Sequence, residues 1–146
     1  MVEIRPPKSG KEWAGLVELN YDILQRYLGL PREKPLKGKK RFHIAAVSGS
    51  AVIGSGELAV EGKKGHIRNV AVHRTHRHRR IGSRIMQKLE GTAARKGLAL
   101  LYVNARKHAK KFFKQLGFEP KGKQFVHKKT GTLHIRMEKP LRPKGK

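Results

Sequence analysis

Cysteine is absent from this sequence, and acidic residues and long apolar runs are scarce. Without cysteine the chain forms no disulfide and has no cysteine nucleophile or thiolate metal ligand. No run of about 18 apolar residues is present, and the first residues, 1–13, lack the apolar segment of a secretory signal. We therefore expect a cytoplasmic protein that has no membrane partner.

The scarcity of carboxylates leaves a large positive charge. Thirty-five lysines and arginines oppose ten aspartates and glutamates, so the net charge is +25. A field of this sign attracts polyanions and repels polycations, but it does not specify a fold. Two interpretations stay open: a solvated basic surface, which the even scatter of cations favours, and contact with nucleic acid or the ribosome. A polybasic protein tail is an unfavourable substrate in either case.

Histidine is the one strong metal-ligand residue that is concentrated in a short stretch. His73, His76 and His78 lie close together in the sequence, but arginines surround them and no acidic residue occurs between Glu61 and Glu90. Coulomb repulsion makes this a poor place for a divalent cation. We expect no metal site.

Apolar periodicity and turn residues divide the chain into strands and helices. The predicted elements are a strand at 2–5, a helix from an N-cap at Ser9 to about 28, a loop at 31–40, a hairpin of strands 41–48 and 51–61, a strand at 66–73, a helix at 82–96, a strand at 98–103 and a helix ending at Gly117. Gly54 and Gly56 predict a bulge or a close backbone approach. Residues 1–139 are predicted to form one domain, and residues 140–146 a basic disordered tail.

The stretch from 70 to 89 is the most informative part of the sequence. A short β-branched run enters an arginine-rich loop, and a helix follows with apolar residues every four positions. The first N–H groups of a helix have no intrahelical partner, and the helix dipole favours an anion there. The loop arginines add positive charge to that place: Arg74, Arg77, Arg79 and Arg80. This pattern predicts a site for a phosphate-bearing ligand.

The same residues carry a family resemblance. Val70-Ala71-Val72 followed by Arg77-His78-Arg79-Arg80-Ile81-Gly82-Ser83 resembles the acetyl-CoA-binding strand, loop and helix of GNAT-type N-acetyltransferases. The family pattern is Arg or Gln, two residues, Gly, one residue, then Gly or Ala. Arg77 and Gly82 match it, whereas Arg80 stands at the position of the first glycine. A left-handed backbone at Arg80 costs about 1 kcal/mol or more, so we expect ordinary helical dihedrals there.

A second motif runs from Asn104 to Phe118. It resembles the family pattern of Asn, Gln or Arg, two residues, Ala, two residues, an aromatic residue and Tyr, three residues, then Gly-Phe. The cofactor-binding residues that the resemblance implies here are Arg106, Ala109, Phe112 and Phe113. Phe113 stands where family members often have the tyrosine that is the usual candidate acid for the thiolate. Its phenyl ring has no proton to donate, so water or another residue, such as Tyr102, is the alternative.

The resemblance covers nearly the whole chain and implies both a fold and an activity. The implied fold is a single α/β domain with a mixed, mostly antiparallel sheet of six or seven strands flanked by helices. The implied activity is transfer of an acetyl group from acetyl-CoA, as co-substrate, to an amine of a small molecule or peptide, by a monomer or homodimer. The first alternative is a nucleic-acid- or ribosome-binding protein with weak or no catalysis, which the +25 charge and Phe113 favour. A basic scaffold protein is the second alternative, and the two motifs oppose it.

Two residues are the leading candidates for the general base that deprotonates the amine. Glu57 lies on the strand beside the first motif, where the family often has a carboxylate or a polar group. His134 lies on a late strand that borders the acceptor site in the subgroup that this chain resembles. A solvated strand glutamate and a structural histidine are the competing interpretations. Glu61 and His66 are further candidates, although His66 follows a turn and is expected to be exposed.

Overall fold

An eight-stranded mixed sheet forms the centre of the computed structural model, which describes residues 1–141. The strands are β1 (Val2–Arg5), β2 (Arg41–Ser48), β3 (Ala51–Glu61), β4 (Lys64–Val72), β5 (Leu100–Arg106), β6 (Glu119–Pro120), β7 (Phe125–Val126) and β8 (Leu133–Pro140), and the helices are α1 (Gly10–Asn20), α2 (Ile81–Arg95) and α3 (Lys110–Gln115). The spatial order is β1-β2-β3-β4-β5-β8-β6, with β7 also paired to β8. The β4–β5 pair is parallel and the other pairs of the described chain are antiparallel. The predicted mixed, mostly antiparallel α/β fold is confirmed.

Helix α2 packs on the central strands as its apolar period predicts. Ile81, Ile85, Leu89 and Ala93 are all buried. A Cβ atom added at Gly56 of β3 would lie 2.6 Å from Cγ2 of Ile85, so this glycine allows the helix to approach the sheet. No helix within residues 1–141 is long and apolar enough to cross a membrane.

Helix α1 covers the opposite face of β3 and begins as predicted. The hydroxyl of Ser9 accepts a hydrogen bond from the Glu12 N–H at 3.2 Å. Hydrogen bonds from the Arg5 guanidinium and the Lys8 N–H lower the pKa of Glu12 to about 2. The helical run extends to residue 28 as expected, but after Asn20 it changes to a π-helical turn, Tyr21–Gln25, and then to a 3₁₀ turn. Such π-helical turns are frequently found at functional sites.

The C-terminal boundary differs from the prediction. Pro140 ends strand β8, and the N–H of Leu141 donates to the carbonyl of Ala99 at 2.9 Å while its side chain packs on the core. The first two residues of the predicted tail therefore belong to the edge of the domain. The rest of that segment, 142–146, lies outside the described residues.

Candidate functional site

Strands β4 and β5 separate part-way along their length. Their parallel pairing ends at Ile67 and Val103, whereas β4 continues to Val72 and β5 to Arg106. Beyond the last pair, the facing edges of the two strands have no strand partner within the described chain. Backbone N–H and C=O groups at such an edge are available to an extended ligand that carries amide groups.

A β-bulge causes the separation. A single residue of β3, Gly56, lies opposite two residues of β4, Asn69 and Val70. Asn69 has φ of 51°, a left-handed conformation that asparagine tolerates better than most residues. A bulge of this kind bends its strand and increases the local twist, which directs β4 away from β5.

Buried polar side chains hold the bulge in place. The amide of Asn69 donates to Oε1 of Glu57 at 3.3 Å, and Nη1 of Arg41 donates to Oε2 of the same carboxylate at 2.9 Å. The hydroxyl of Ser55 donates to Oδ1 of Asn20 at 2.5 Å, which connects β3 to the end of α1. Glu57, predicted as a candidate base, is only 2% exposed and is absent from the cavity wall described below. Its contacts are those of a residue that positions the strand.

A cavity of about 270 Å³ opens where the two strands separate. Strands β4 and β5 form one side, the π-helical turn and the following loop form another, and the β7–β8 hairpin borders it. Its ionisable lining residues are three with cationic side chains, one with a carboxylate and four histidines: Arg68, Arg106, Lys129, Glu33, His66, His108, His127 and His134. The carboxylate, Glu33, contacts the ammonium group of Lys129. The wall is therefore net positive.

His134 has the geometry of a proton acceptor inside this cavity. Its Nδ1 lies 3.0 Å from the carbonyl oxygen of Thr132, so Nδ1–H donates to that oxygen and Nε2 keeps a free lone pair. Burial lowers the pKa of His134, and the positive charges of Arg106 and the neighbouring histidines act in the same direction, against the opposite effect of the Thr132 carbonyl. The imidazole is therefore neutral at neutral pH.

His66 and Tyr102 form a stacked pair beside the cavity. Their ring centroids are 4.4 Å apart, and His66 is half-buried, so the expectation that it is exposed was wrong. Burial, reinforced by the charge of Arg68, lowers the pKa of His66 to about 4. The Tyr102 hydroxyl donates to Oε1 of Glu61 at 2.6 Å, and burial together with this bond raises the pKa of Tyr102 to about 12. The proton of the Tyr102 hydroxyl is thus already donated in the hydrogen bond to Glu61.

The loop before α2 adopts a backbone that the sequence does not predict. Arg80 has φ of 61° and ψ of 19°, so the expectation of helical dihedrals was wrong. His78 is also left-handed, with φ of 64°. Left-handed residues next to ordinary ones create a concave row of backbone N–H groups that suits an anion. No side chain caps α2, which leaves the N–H groups of its first turn available to a ligand.

Replacing Arg80 with glycine is expected to raise the free energy of unfolding by about 0.5 kcal/mol. Relief of left-handed strain, about 1–2 kcal/mol, exceeds the entropic cost of glycine, about 0.5–1 kcal/mol. Arg79→Gly is the matched control: Arg79 has no positive φ, so its replacement lowers stability. Equilibrium unfolding in urea measures both variants, and a less stable Arg80→Gly protein would show that this backbone is unstrained.

The residues of the first motif lie together at one end of the sheet. They occupy the end of β4 (Val70, Ala71, Val72), the exposed loop (Arg77, His78, Arg79, Arg80) and the first turn of α2 (Ile81, Gly82, Ser83). Nε of Arg77 donates to the carbonyl of Val72 at 3.3 Å, which ties the loop to the strand. Ala71 and Ile81 are buried in the core.

The second motif meets the first through an aromatic contact. A Cβ atom added at Gly82 would lie 3.1 Å from Cζ of Phe112, so the ring of Phe112 packs directly on the first turn of α2. Phe113 is 4% exposed and lines the cavity. Helix α3 ends in a Schellman motif, in which the N–H of Phe118 donates to the carbonyl of Phe113 and Gly117 takes φ of 96°. The predicted glycine cap is confirmed.

Arg106 and Ala109 lie on the cavity side of the second motif. The guanidinium of Arg106 donates to the carbonyl of Leu24 at 3.0 Å and to the hydroxyl of Tyr27. Arg106 therefore fixes the π-helical turn against β5, which is a different contact from the one predicted with a cofactor. Ala109 lines the cavity from the turn before α3.

Several residues of the site carried no recognisable signal in the sequence. Asn20, Asn69 and Arg68 belong to no motif, and they become important only because the bulge and the strand separation bring them to the site. The positive φ of Asn69 is the one feature for which residue type gave a weak indication, because asparagine is enriched in that conformation.

One family model and a relative from Bacillus subtilis match this sequence. The model of a family described as acetyltransferase (GNAT) domain matches residues 20–141. An uncharacterized N-acetyltransferase, YjcF of Bacillus subtilis (strain 168), is 30% identical over 98 residues, which are 66% of this chain and 69% of that protein.

Two solved structures show the same fold. ElaA of Escherichia coli superposes with a TM-score of 0.80 at 18% identity, covering 95% of this chain and 99% of that one. An aminoglycoside 6'-N-acetyltransferase complexed with coenzyme A gives a TM-score of 0.81 at 16% identity, covering 100% and 99%. With the family model spanning most of the sequence, the conclusion is that the chain belongs to the GNAT acetyltransferase family.

Proposed function

We propose that this protein transfers an acetyl group from acetyl-CoA to an amine. The observation that carries the proposal is one continuous arrangement: an uncapped helix N-terminus with a concave backbone loop, an unpaired strand edge, and a cavity with a buried neutral histidine. The helix N-terminus and its loop suit a pyrophosphate, the unpaired strand edge suits an extended arm that contains amide groups, and the cavity suits deprotonation of an amine.

The chain offers suitable groups for each part of the co-substrate. The backbone N–H groups of the segment from Arg77 to Ser83, with the loop arginines, would hold the phosphates. The free edge of β4, from Val70 to Val72, would hold the pantetheine amides by strand-like hydrogen bonds. When bound, acetyl-CoA supplies an acyl group activated as a thioester. The aminoglycoside acetyltransferase of the same fold is complexed with coenzyme A, which supports a coenzyme A thioester as the co-substrate.

We assign proton transfer to His134 and a positioning role to Glu57. Nε2 of His134 has a free lone pair within the cavity, so it can take a proton from an amine that lies there. The carboxylate of Glu57 already accepts hydrogen bonds from Arg41 and Asn69 and is buried. Its removal would release the bulge that separates the strands.

Phe113→Tyr is expected to keep or raise kcat. Phe113 lines the cavity and stands where the resembling family often has the tyrosine that is the candidate acid for the thiolate. A general-acid step is typically worth about a hundredfold or more, and the gain is smaller if water already protonates the thiolate. Phe113→Leu is the control, since it keeps an apolar side chain without a hydroxyl and brings no gain. The measurement is steady-state thiol release, together with thermal unfolding. A folded Phe113→Tyr protein with no activity would contradict the assigned position of this ring.

A thiol-release assay tests the proposed function. The protein is mixed with acetyl-CoA and a panel of amines, free thiol is measured, and acetylated products are identified by mass. Thiol release that depends on both the amine and His134 is the expected result. Absence of release with every amine, together with steeply salt-dependent RNA binding, would contradict it and favour the nucleic-acid-binding alternative.

A further inference from the structure

The charge of the cavity narrows the class of acceptor, an inference that rests on the proposed function. We propose that the acceptor amine carries an anionic group, a carboxylate or a phosphate, and that Arg68 binds it. Three residues with cationic side chains and one with a carboxylate line the cavity, and that carboxylate already contacts Lys129. Arg106 donates hydrogen bonds to the carbonyl of Leu24 and the hydroxyl of Tyr27. Of the three cations, Arg68 is therefore the one that remains to bind an anionic ligand.

Arg68 lacks a counter-charge of its own. It lies on β4 directly opposite Glu57 of β3, but that carboxylate is bound by Arg41 and Asn69. Within residues 1–141 no carboxylate lies within ion-pair distance of the Arg68 guanidinium. Arg68 is half-buried, and a half-buried charge without a partner is unfavourable, so an anionic ligand that reached it would be stabilised.

The same charge acts on the amine itself. A positive wall destabilises an ammonium group and so lowers its pKa, which increases the neutral, nucleophilic fraction of the acceptor. An acceptor with a second ammonium group meets repulsion that no carboxylate of the wall relieves. An acceptor with an anionic group offsets this repulsion through Arg68. The cavity therefore favours amino acids and similar anionic amines over polyamines.

Acceptors of matched length test the proposal. The compounds are γ-aminobutyrate, aminopropylphosphonate, n-butylamine and putrescine, which place a carboxylate, a phosphonate, a methyl group or an ammonium group at the same end. We expect kcat/KM for the better of the two anionic amines to exceed that for n-butylamine by about tenfold or more, with putrescine lowest. The ranking of the carboxylate against the phosphonate identifies the preferred anion. Calorimetric binding of the same four compounds to the protein saturated with coenzyme A measures recognition without turnover.

Charge reversal separates recognition from structural support. Arg68→Gln is expected to abolish the preference, and Arg68→Glu to reverse it in favour of putrescine, a change that mere loss of structure does not produce. Lys11→Glu makes the same charge change on the exposed surface of α1, outside the cavity, and keeps the wild-type order.

The outcomes distinguish this proposal from the proposed function. Thiol release with putrescine or n-butylamine preferred overturns the anionic-acceptor proposal and leaves the acetyltransferase function intact. Arg68-dependent binding of the anionic compounds without any thiol release supports the anion site and contradicts the function. Equal binding of all four compounds, or binding of none, overturns the anion site.

Discussion

Replacing His134 with glutamine lowers kcat/KM by about a hundredfold or more, because a glutamine side chain cannot take the proton of the amine at this position. Binding of acetyl-CoA is unchanged, since His134 lies in the cavity and not in the loop before α2. His127→Gln is the matched control. Its ring also lines the cavity, 4.8 Å from that of His134, but Nδ1 of His127 faces the backbone N–H of Lys129 and the residue is less buried. A small effect is expected there.

The pH profile adds a readout that a structural role does not alter. Protonated His134 is inactive and its pKa lies below the ordinary 6.5, so activity through this group is present above that pKa and is lost as the pH falls through it. With an acceptor of high pKa, both His134 and the amine must be deprotonated, so log kcat/KM rises with pH with slope two below the pKa of His134. Above that pKa only the amine still titrates, and the slope is one. His134→Gln has slope one throughout. An unchanged profile in the variant would assign the base to another residue.

Gly82→Asp weakens acetyl-CoA binding by about a hundredfold, the scale of losing charge-assisted hydrogen bonds to an anion. Two effects combine at this position. The added Cβ atom lies 3.1 Å from the ring of Phe112, which must move, and the carboxylate occupies the helix N-terminus where the phosphates are expected. Calorimetric titration with acetyl-CoA measures the loss.

Two variants separate these effects. Gly82→Ala keeps most of the affinity, because the end of the Phe112 ring needs to shift by only a few tenths of an ångström. Gly91→Asp adds the same charge to the middle of α2, where the added Cβ atom meets only the Arg95 side chain at 3.4 Å, and leaves binding intact. Wild-type affinity in Gly82→Asp would place the phosphate site elsewhere.

Local patterns predicted most of the fold because the deciding interactions are short-range. The hairpin of β2 and β3 has the predicted bounds, since Gly49 supplies the left-handed residue of a two-residue turn. The buried face of α2 follows from its apolar period, and the cap of α1 follows from Ser9 and Glu12. Each of these features depends on residues that lie within a few positions of one another.

The parts that the sequence did not predict depend on long-range contacts. Glu57 is buried because Arg41 pairs with it across the hairpin and Asn69 reaches it from the bulge. Arg106 contacts the π-helical turn, whose residues lie about 80 positions earlier in the chain. At Arg80 the local preference against a left-handed backbone is overridden by the connection between β4 and α2, which places the strain at the proposed phosphate site.

An amide NMR titration with acetyl-CoA tests the proposed co-substrate site, because it locates the bound acetyl-CoA without relying on any acceptor. We expect the largest shifts in two segments, the unpaired end of β4 at residues 70–72 and the loop and first helical turn at residues 78–83. Amides on the opposite edge, in β1, are predicted to stay unchanged. Saturation with acetyl-CoA that shifts no amide in either segment, or only amides in other parts of the chain, would contradict the proposed co-substrate site.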